Sequence, residues 1–155
     1  MTKYLIVFFM SMVPIIELRG AIPYSQGYYH LPLLPSYIVA IIGNMLPVPF
    51  IYLFARKVLV WGSDKPITGK FFTWCLKKGE SAGKKLQAKT GKKGLFWALL
   101  IFVAIPAPGT GAWTGTLAAS LLDMDFKTSI IAVMLGVLVA GIIMGTASVG
   151  LFSFF

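Results

Sequence analysis

The sequence predicts an all-α integral membrane protein, an inverted repeat in which each half holds a re-entrant (broken) helix hairpin and one long transmembrane helix, the halves joined by a basic cytoplasmic segment. Three observations lead there. Apolar residues make up 57% of the 155 residues and charged residues only 12%, against about 25% charged in an average soluble domain. Of the 14 Lys and Arg, 11 fall between Arg56 and Lys93, so the flanking chain is nearly uncharged. Two of four apolar stretches carry clustered Pro and Gly at mid-length, where a regular helix cannot continue.

The first apolar stretch runs from Tyr4 to Pro23. It opens with one Lys and an apolar run, but no small-residue cleavage site precedes Glu17 and Arg19, so it reads as mature protein. Its break is Pro14-Ile-Ile-Glu17-Leu-Arg19-Gly20-Ala-Ile-Pro23. The second stretch, Leu31 to Phe54, has the roughly 20 residues a span needs and starts with capping-type Pro35-Ser36. Asn44, with Pro47 and Pro49, marks a kink in it and a candidate cavity-lining amide.

The third stretch, Leu95 to Leu122, breaks at Ile105-Pro106-Ala-Pro108-Gly109-Thr110-Gly111-Ala-Trp113-Thr114-Gly115. The fourth, Ser129 to Phe155, is entered through Asp125-Phe-Lys-Thr-Ser129. Its Gly136, Ala140, Gly141 and Gly145 form a small-residue face with a GxxxG step, suited to packing within the chain or to a dimer seam.

The halves correspond. A shift of 92 residues sets Val13-Pro14 over Ile105-Pro106, and a shift of 93 brings Gly43 onto Gly136. We read one membrane domain over residues 1–155, with half 1 at 1–60, a basic linker at 61–93 and half 2 at 94–155. About ten residues precede each break and reach roughly 15 Å, half the hydrocarbon core. Freed backbone at that depth is tolerated only where protein or a water-filled cavity satisfies it, which favours hairpins that turn back. The alternative is four full spans with both termini in the cytoplasm.

A basic segment between apolar regions belongs on the cytoplasmic side of the cell (inner or plasma) membrane. Ile67, Phe71, Trp74 and Cys75 share one helical face, but Lys78 and Lys85 intrude on it and Gly79, Gly83 and Gly91 weaken it. The segment therefore reads first as a loop anchored to anionic headgroups. Nucleic acid is not an expected partner of the +9 net charge, because no soluble fold surrounds the patch. Cys75 is the only cysteine, so an intrachain disulfide is excluded. Zinc spacing, a nucleophile triad and a phosphate loop are absent; no metal, cofactor or catalysis is expected. His30, in an interfacial turn, receives no role.

Glu17 and Arg19 are the sharpest signal. A charged side chain at bilayer centre costs about 2.5–3.5 kcal/mol on insertion scales, so such residues pair, face a cavity or do work. Two residues apart, they would diverge by about 200° on a regular helix but share one side of an extended break. A structural ion pair fixing the hairpin is the plain alternative. Desolvation disfavours the carboxylate, making Glu17 a candidate proton carrier, while Arg19 stays charged and suits an anionic group. In the second break, Pro106, Pro108, Gly109, Thr110 and Gly111 are candidate substrate or ion contacts, since a helix restarting there aims N–H groups and its positive dipole end at mid-depth. Thr114 and Thr116 read as packing residues.

The pattern Pro14-x-x-Glu17-Leu18-Arg19-Gly20-Ala21-Ile22-Pro23, followed by Pro106-x-Pro108-Gly109-Thr110-Gly111-Ala112-Trp113-Thr114-Gly115, resembles the small multi-drug export protein family of prokaryotes across essentially the whole chain. That family is similar to DedA-type (VTT) membrane proteins, which have two opposed re-entrant hairpins. The resemblance implies that Glu17, Arg19 and the Pro106–Gly111 tip line one central site. It also implies a transporter, or, through the DedA likeness, translocation of phospholipid or polyprenyl phosphate. The chain lacks the extra flanking helices of the DedA pattern, so a homodimer is the natural way to enclose a pathway.

The function expected is proton-linked export of a small or amphipathic substrate, with a lipid flippase or scramblase and a non-transporting membrane scaffold as the other readings. The expected partners are the lipid bilayer, that small-molecule or lipid substrate and a second copy of the chain.

Overall fold

The computed structural model describes residues 1–107 and 110–154, with Gly79, Ala82, Gly83 and Leu86 described by backbone only. Among the described residues all regular structure is helical: α1 (Thr2–Met12), α2 (Glu17–Gly27), α3 (Leu33–Met45), α4 (Val48–Ser63), α5 (Gly69–Ala104), α6 (Ala112–Leu121) and α7 (Phe126–Ser153).

The short helices α1 and α2 meet within the first predicted break, which is shorter than expected: only Val13–Ile16 leave the helix, and Glu17, Arg19, Gly20 and Pro23 lie in α2. Val13 leaves α1 in an extended conformation (φ −72°, ψ 131°), which carries the chain into the Pro14–Ile16 turn. The open ends of this pair lie together, for the Lys3 ammonium stands 5.5 Å from the centre of the Tyr29 ring. At 11 residues each, α1 and α2 reach about 16 Å at about 1.5 Å per residue.

The long helix expected over Leu31–Phe54 is present but interrupted and longer. Pro47 cannot donate a helical hydrogen bond, so α3 stops at Met45 and α4 resumes at Val48. Leu46 and Pro47 keep helical dihedrals, and the run Leu33–Ser63, 31 residues, is long and apolar enough to cross a membrane. So is the 28-residue α7. Two helices of membrane-crossing length in an all-helical set of described residues suit a membrane protein, as do the exposed Phe9, Leu34, Phe50, Phe54, Ile101 and Ile142.

The basic segment departs from the loop reading. It is helical from Gly69 onward and continues into the second broken stretch, bending at Gly91, whose φ of 72° only glycine adopts without strain. Its lysines, alanines and Gln87 are good helix formers, and they outweigh the scattered glycines. Beyond the bend, Leu95, Leu99 and Val103 turn inward and are buried.

Caps recur along the chain at the spacings of the sequence match. Val13 after α1 and Ile105 after α5 are both extended, 92 residues apart. His30 and Asp123 both take left-handed dihedrals (φ 51° and 58°), 93 residues apart. Pro32 (φ −55°, ψ 137°) and Asp125 (φ −53°, ψ 140°) then cap α3 and α7 alike.

Packing places α3 on α1 and α2, and α7 on α5 and α6. The long elements then cross over: α7 also packs on α2, and α4 on α6. Small residues allow the close approaches. A side chain at Gly43 would strike the Phe8 carbonyl and the Ser11 hydroxyl, and one at Gly136 would meet Val103 and the Leu100 carbonyl. The GxxxG face is used inside the chain: Gly141 lies under the Tyr37 ring and Gly145 beside Leu33. It is not free to serve as a dimer seam.

Candidate functional site

The two breaks meet. Glu17 opens α2 with a left-handed backbone (φ 49°), uncommon for a residue with a side chain and costing on the order of 1–3 kcal/mol. That turn sends its side chain across to the second break, where it is 4% exposed. Its two carboxylate oxygens accept hydrogen bonds from the backbone N–H groups of Ala112 and Trp113, both at 3.1 Å. These are first-turn donors of α6, which lack partners within their own helix. Glu17 therefore caps α6 from another element, with its charge at the positive end of the helix dipole.

Gly111 makes room for this. Its φ of −83° is open to any residue, but a Cβ there would collide with the Glu17 carboxylate.

Arg19 does the complementary work at the other side of the same break. Its guanidinium donates to the carbonyls of Val103 (3.3 Å) and Ile105 (3.0 Å), and also to those of Ala107 and Thr110. These acceptors are the end of α5 and the chain just beyond it, where carbonyls lack the regular helical partner and the dipole is negative. Thr110 tightens the turn from within, its hydroxyl lying 2.7 Å from both the Ile105 and Ala107 carbonyls. The grip is reciprocal, because the Trp113 indole N–H donates to the Met12 carbonyl (3.1 Å) at the end of α1.

Glu17 and Arg19 thus form no ion pair with each other. Each binds backbone of the opposite tip instead.

Beside this clasp lies a cleft of about 620 Å³. Pro14, Ile16, Glu17, Arg19, Gly20, Pro106, Ala107, Gly111 and Thr114 line it, and Ile15, 93% exposed, stands at its rim. Glu17, Arg19, Pro106 and Gly111 from the sequence reading are thereby brought together, with Thr110 joined to them through Arg19. Pro108 and Gly109 lie outside the described residues. Asn44 is not part of the lining; it is buried on α3, and neither its amide oxygen nor its amide nitrogen has a hydrogen-bond partner.

Two residues gain parts that the sequence reading did not give them. Thr114, read as packing, lines the cleft, whereas Thr116 does pack, bonding the Ala112 carbonyl within α6. The Trp113 indole has no part in the sequence reading, yet it bonds the Met12 carbonyl. A lone N–H donor next to a helix break was the signal available for it. Among the described residues no cluster of His, Cys, Asp or Glu could hold a metal ion.

Residues 17–143 match the family model described as "Putative small multi-drug export protein". The match begins at Glu17, just after the turn between α1 and α2, and takes in α2, the linker and the whole second break. No curated protein and no solved structure matches the chain. With most of its length covered, the chain belongs to the small multi-drug export protein family.

Proposed function

We propose that the chain is a small exporter of the inner or plasma membrane that passes an amphipathic substrate through the cleft between the two tips. One observation carries this reading: buried Glu17 and half-buried Arg19 grip the opposite broken helix beside an open cleft. Charge at membrane depth next to non-helical backbone is the recurring construction of secondary-transporter sites.

In this reading each helix pair re-enters the membrane from its own side. Lys3 over Tyr29 supports a first hairpin whose ends share one face. Leu95, Asp125 and Thr128, which line one depression, support the same for the second. Gly27 abuts the Phe152 ring near the end of α7, whereas Leu95 lies by its start, which supports opposed entry. The matched caps support an inverted repeat of halves 1–60 and 94–155 within one membrane domain. The linker 61–93 then lies in the cytoplasm by its charge.

Protonating Glu17 would remove an acceptor from the Ala112 and Trp113 N–H groups and loosen the second tip, linking proton movement to opening. Arg19, released from its carbonyls, would hold an anionic part of the substrate. Pro106, Thr110 and Gly111 would move with the second tip, Pro108 and Gly109 stay candidate substrate contacts, and Asn44 would supply an amide once the core rearranges. A second copy would wall the open rim.

Proteoliposomes with an imposed pH gradient test this. Wild-type protein is expected to drive efflux of amphipathic cations or anions, and Glu17→Gln to abolish the gradient dependence. Transport by Glu17→Gln at the wild-type rate would sink the proton linkage.

The apolar, exposed Ile15 at the rim favours a second reading, in which a phospholipid or polyprenyl phosphate enters sideways from the bilayer. Lipid-scrambling assays on the same vesicles separate the two. If neither substrate moves, and Glu17→Gln and Arg19→Ala both melt early, the clasp is structural and the chain is a scaffold.

A further inference from the structure

The corner between α4 and α5 holds a second cleft, about 530 Å³, that shares no residue with the tip site. Lys65, Lys70 and Lys77 line it, together with the hydroxyl-bearing Ser63 and Thr73 and the Trp74 ring. Asp64 is the only acidic residue between Trp61 and Lys78, so the local charge is positive.

Its surroundings are apolar and bare. Ile67 is 93% exposed, and Trp61, Phe71 and Trp74 are all more than half exposed. Phe71 stacks on Trp74 with ring centres 6.5 Å apart, and the Lys65 ammonium stands 4.4 Å from the centre of the Trp61 ring. The corner is held in place by Phe72, packed against Gly62 at the end of α4.

Depth places this group at the membrane surface. The uncharged run from Leu33 to Ala55 reaches about 34 Å at about 1.5 Å per residue, already the thickness of a hydrocarbon core of about 30 Å. Arg56 and Lys57 follow it, and the cleft lies beyond them, at headgroup level. Tryptophans there sit with an apolar face in the acyl boundary, and lysines face phosphate.

We infer that this cleft binds the phosphate headgroup of an anionic phospholipid, with Lys65, Lys70 and Lys77 around the phosphate and Trp61, Ile67, Phe71 and Trp74 in the boundary region. A soluble anion would use the lysines but leave the exposed rings without a purpose. The lipid source accounts for both. The site anchors the linker helix to one leaflet, and it stands whether or not the tip cleft transports.

Native mass spectrometry of the full chain in mild detergent tests the assignment, with phosphatidylglycerol, phosphatidylcholine and inorganic phosphate as probes. The variant is Lys65→Gln/Lys70→Gln/Lys77→Gln. The control, Lys84→Gln/Lys85→Gln/Lys89→Gln, removes the same charge from elsewhere on the helix. Each lysine held near an anionic surface strengthens binding roughly fivefold. Phosphatidylglycerol is therefore expected to bind at least about tenfold tighter than phosphatidylcholine, the cleft variant to lose about tenfold or more, and the control to stay within about threefold of wild type. Equal losses in both variants would mean diffuse attraction and overturn the site. So would retention by the cleft variant, equal binding of the two lipids, or displacement of the lipid by millimolar phosphate.

Discussion

A methyl group on Gly111 would fall where the Glu17 carboxylate sits. The two residues are 94 positions apart, and the missing side chain of one is the space that the other occupies. Gly111→Ala keeps an acceptable backbone, since φ there is −83°, so its effect comes from displacing the carboxylate. Hydrogen bonds to a charged group contribute about 1.5–3 kcal/mol each, and Glu17 accepts two. We expect Gly111→Ala to destabilise the purified protein by about 2–4 kcal/mol. We also expect it to cost much less in a Glu17→Ala background, where the carboxylate is already gone. Denaturant titrations of the four proteins in detergent read the coupling. Additive losses would mean that the carboxylate and Gly111 do not share this space.

Arg19 reaches four carbonyls with a planar fork, a task that charge alone does not accomplish. Arg19→Lys keeps the charge but presents one compact ammonium. We expect it to lose about 1–3 kcal/mol of stability, most of the loss shown by Arg19→Gln. Thermal melts of the three proteins give the comparison. If Arg19→Lys melts with wild type, the site needs a positive charge and not a fork.

These two contacts mark where reading letters stopped. Glu17 and Arg19 were conspicuous because charge in an apolar run is rare, and both breaks were visible in their prolines and glycines. Their partners were not visible, because backbone N–H and C=O groups belong to every residue and leave no trace in the sequence. An i, i+2 pair of opposite charges suggested an ion pair or a shared cavity; that the two side chains cap opposite helix ends follows from the tertiary meeting of the tips. The Pro47 interruption was legible, whereas the end of α4 at Ser63 was not, since Arg56 and Lys57 look like a boundary. The linker misled through its glycines, of which only Gly91 adopts a non-helical conformation.

The small-residue face of α7 carries the next expectation. Gly141 lies under the Tyr37 ring, and that ring is tethered by its hydroxyl to the Leu138 carbonyl at 2.7 Å. A larger side chain cannot push the ring aside without breaking the bond. Gly141→Leu should destabilise the fold by about 1–3 kcal/mol, the range for overpacking, with oligomeric state unchanged. Light scattering beside a thermal melt separates the outcomes. A variant that melts normally but runs as a smaller species would return the face to an intermolecular role.

Asn44 is buried with both ends of its amide unpartnered, an arrangement that costs stability. Leu has nearly the same volume and no polar atoms. Replacing an unsatisfied buried polar group with an apolar one of its own shape is near neutral or stabilising, by up to about 1–3 kcal/mol. On the proposed transport reading, the amide serves in another conformation, where it would meet substrate or freed backbone of the tip. Asn44→Leu is therefore expected to melt at or above the wild-type temperature while gradient-driven transport falls about tenfold or more. Both are read on one preparation, the melt in detergent and the flux in proteoliposomes. A more stable protein that still transports at the wild-type rate would remove Asn44 from the pathway and leave Glu17 and Arg19 to carry it alone.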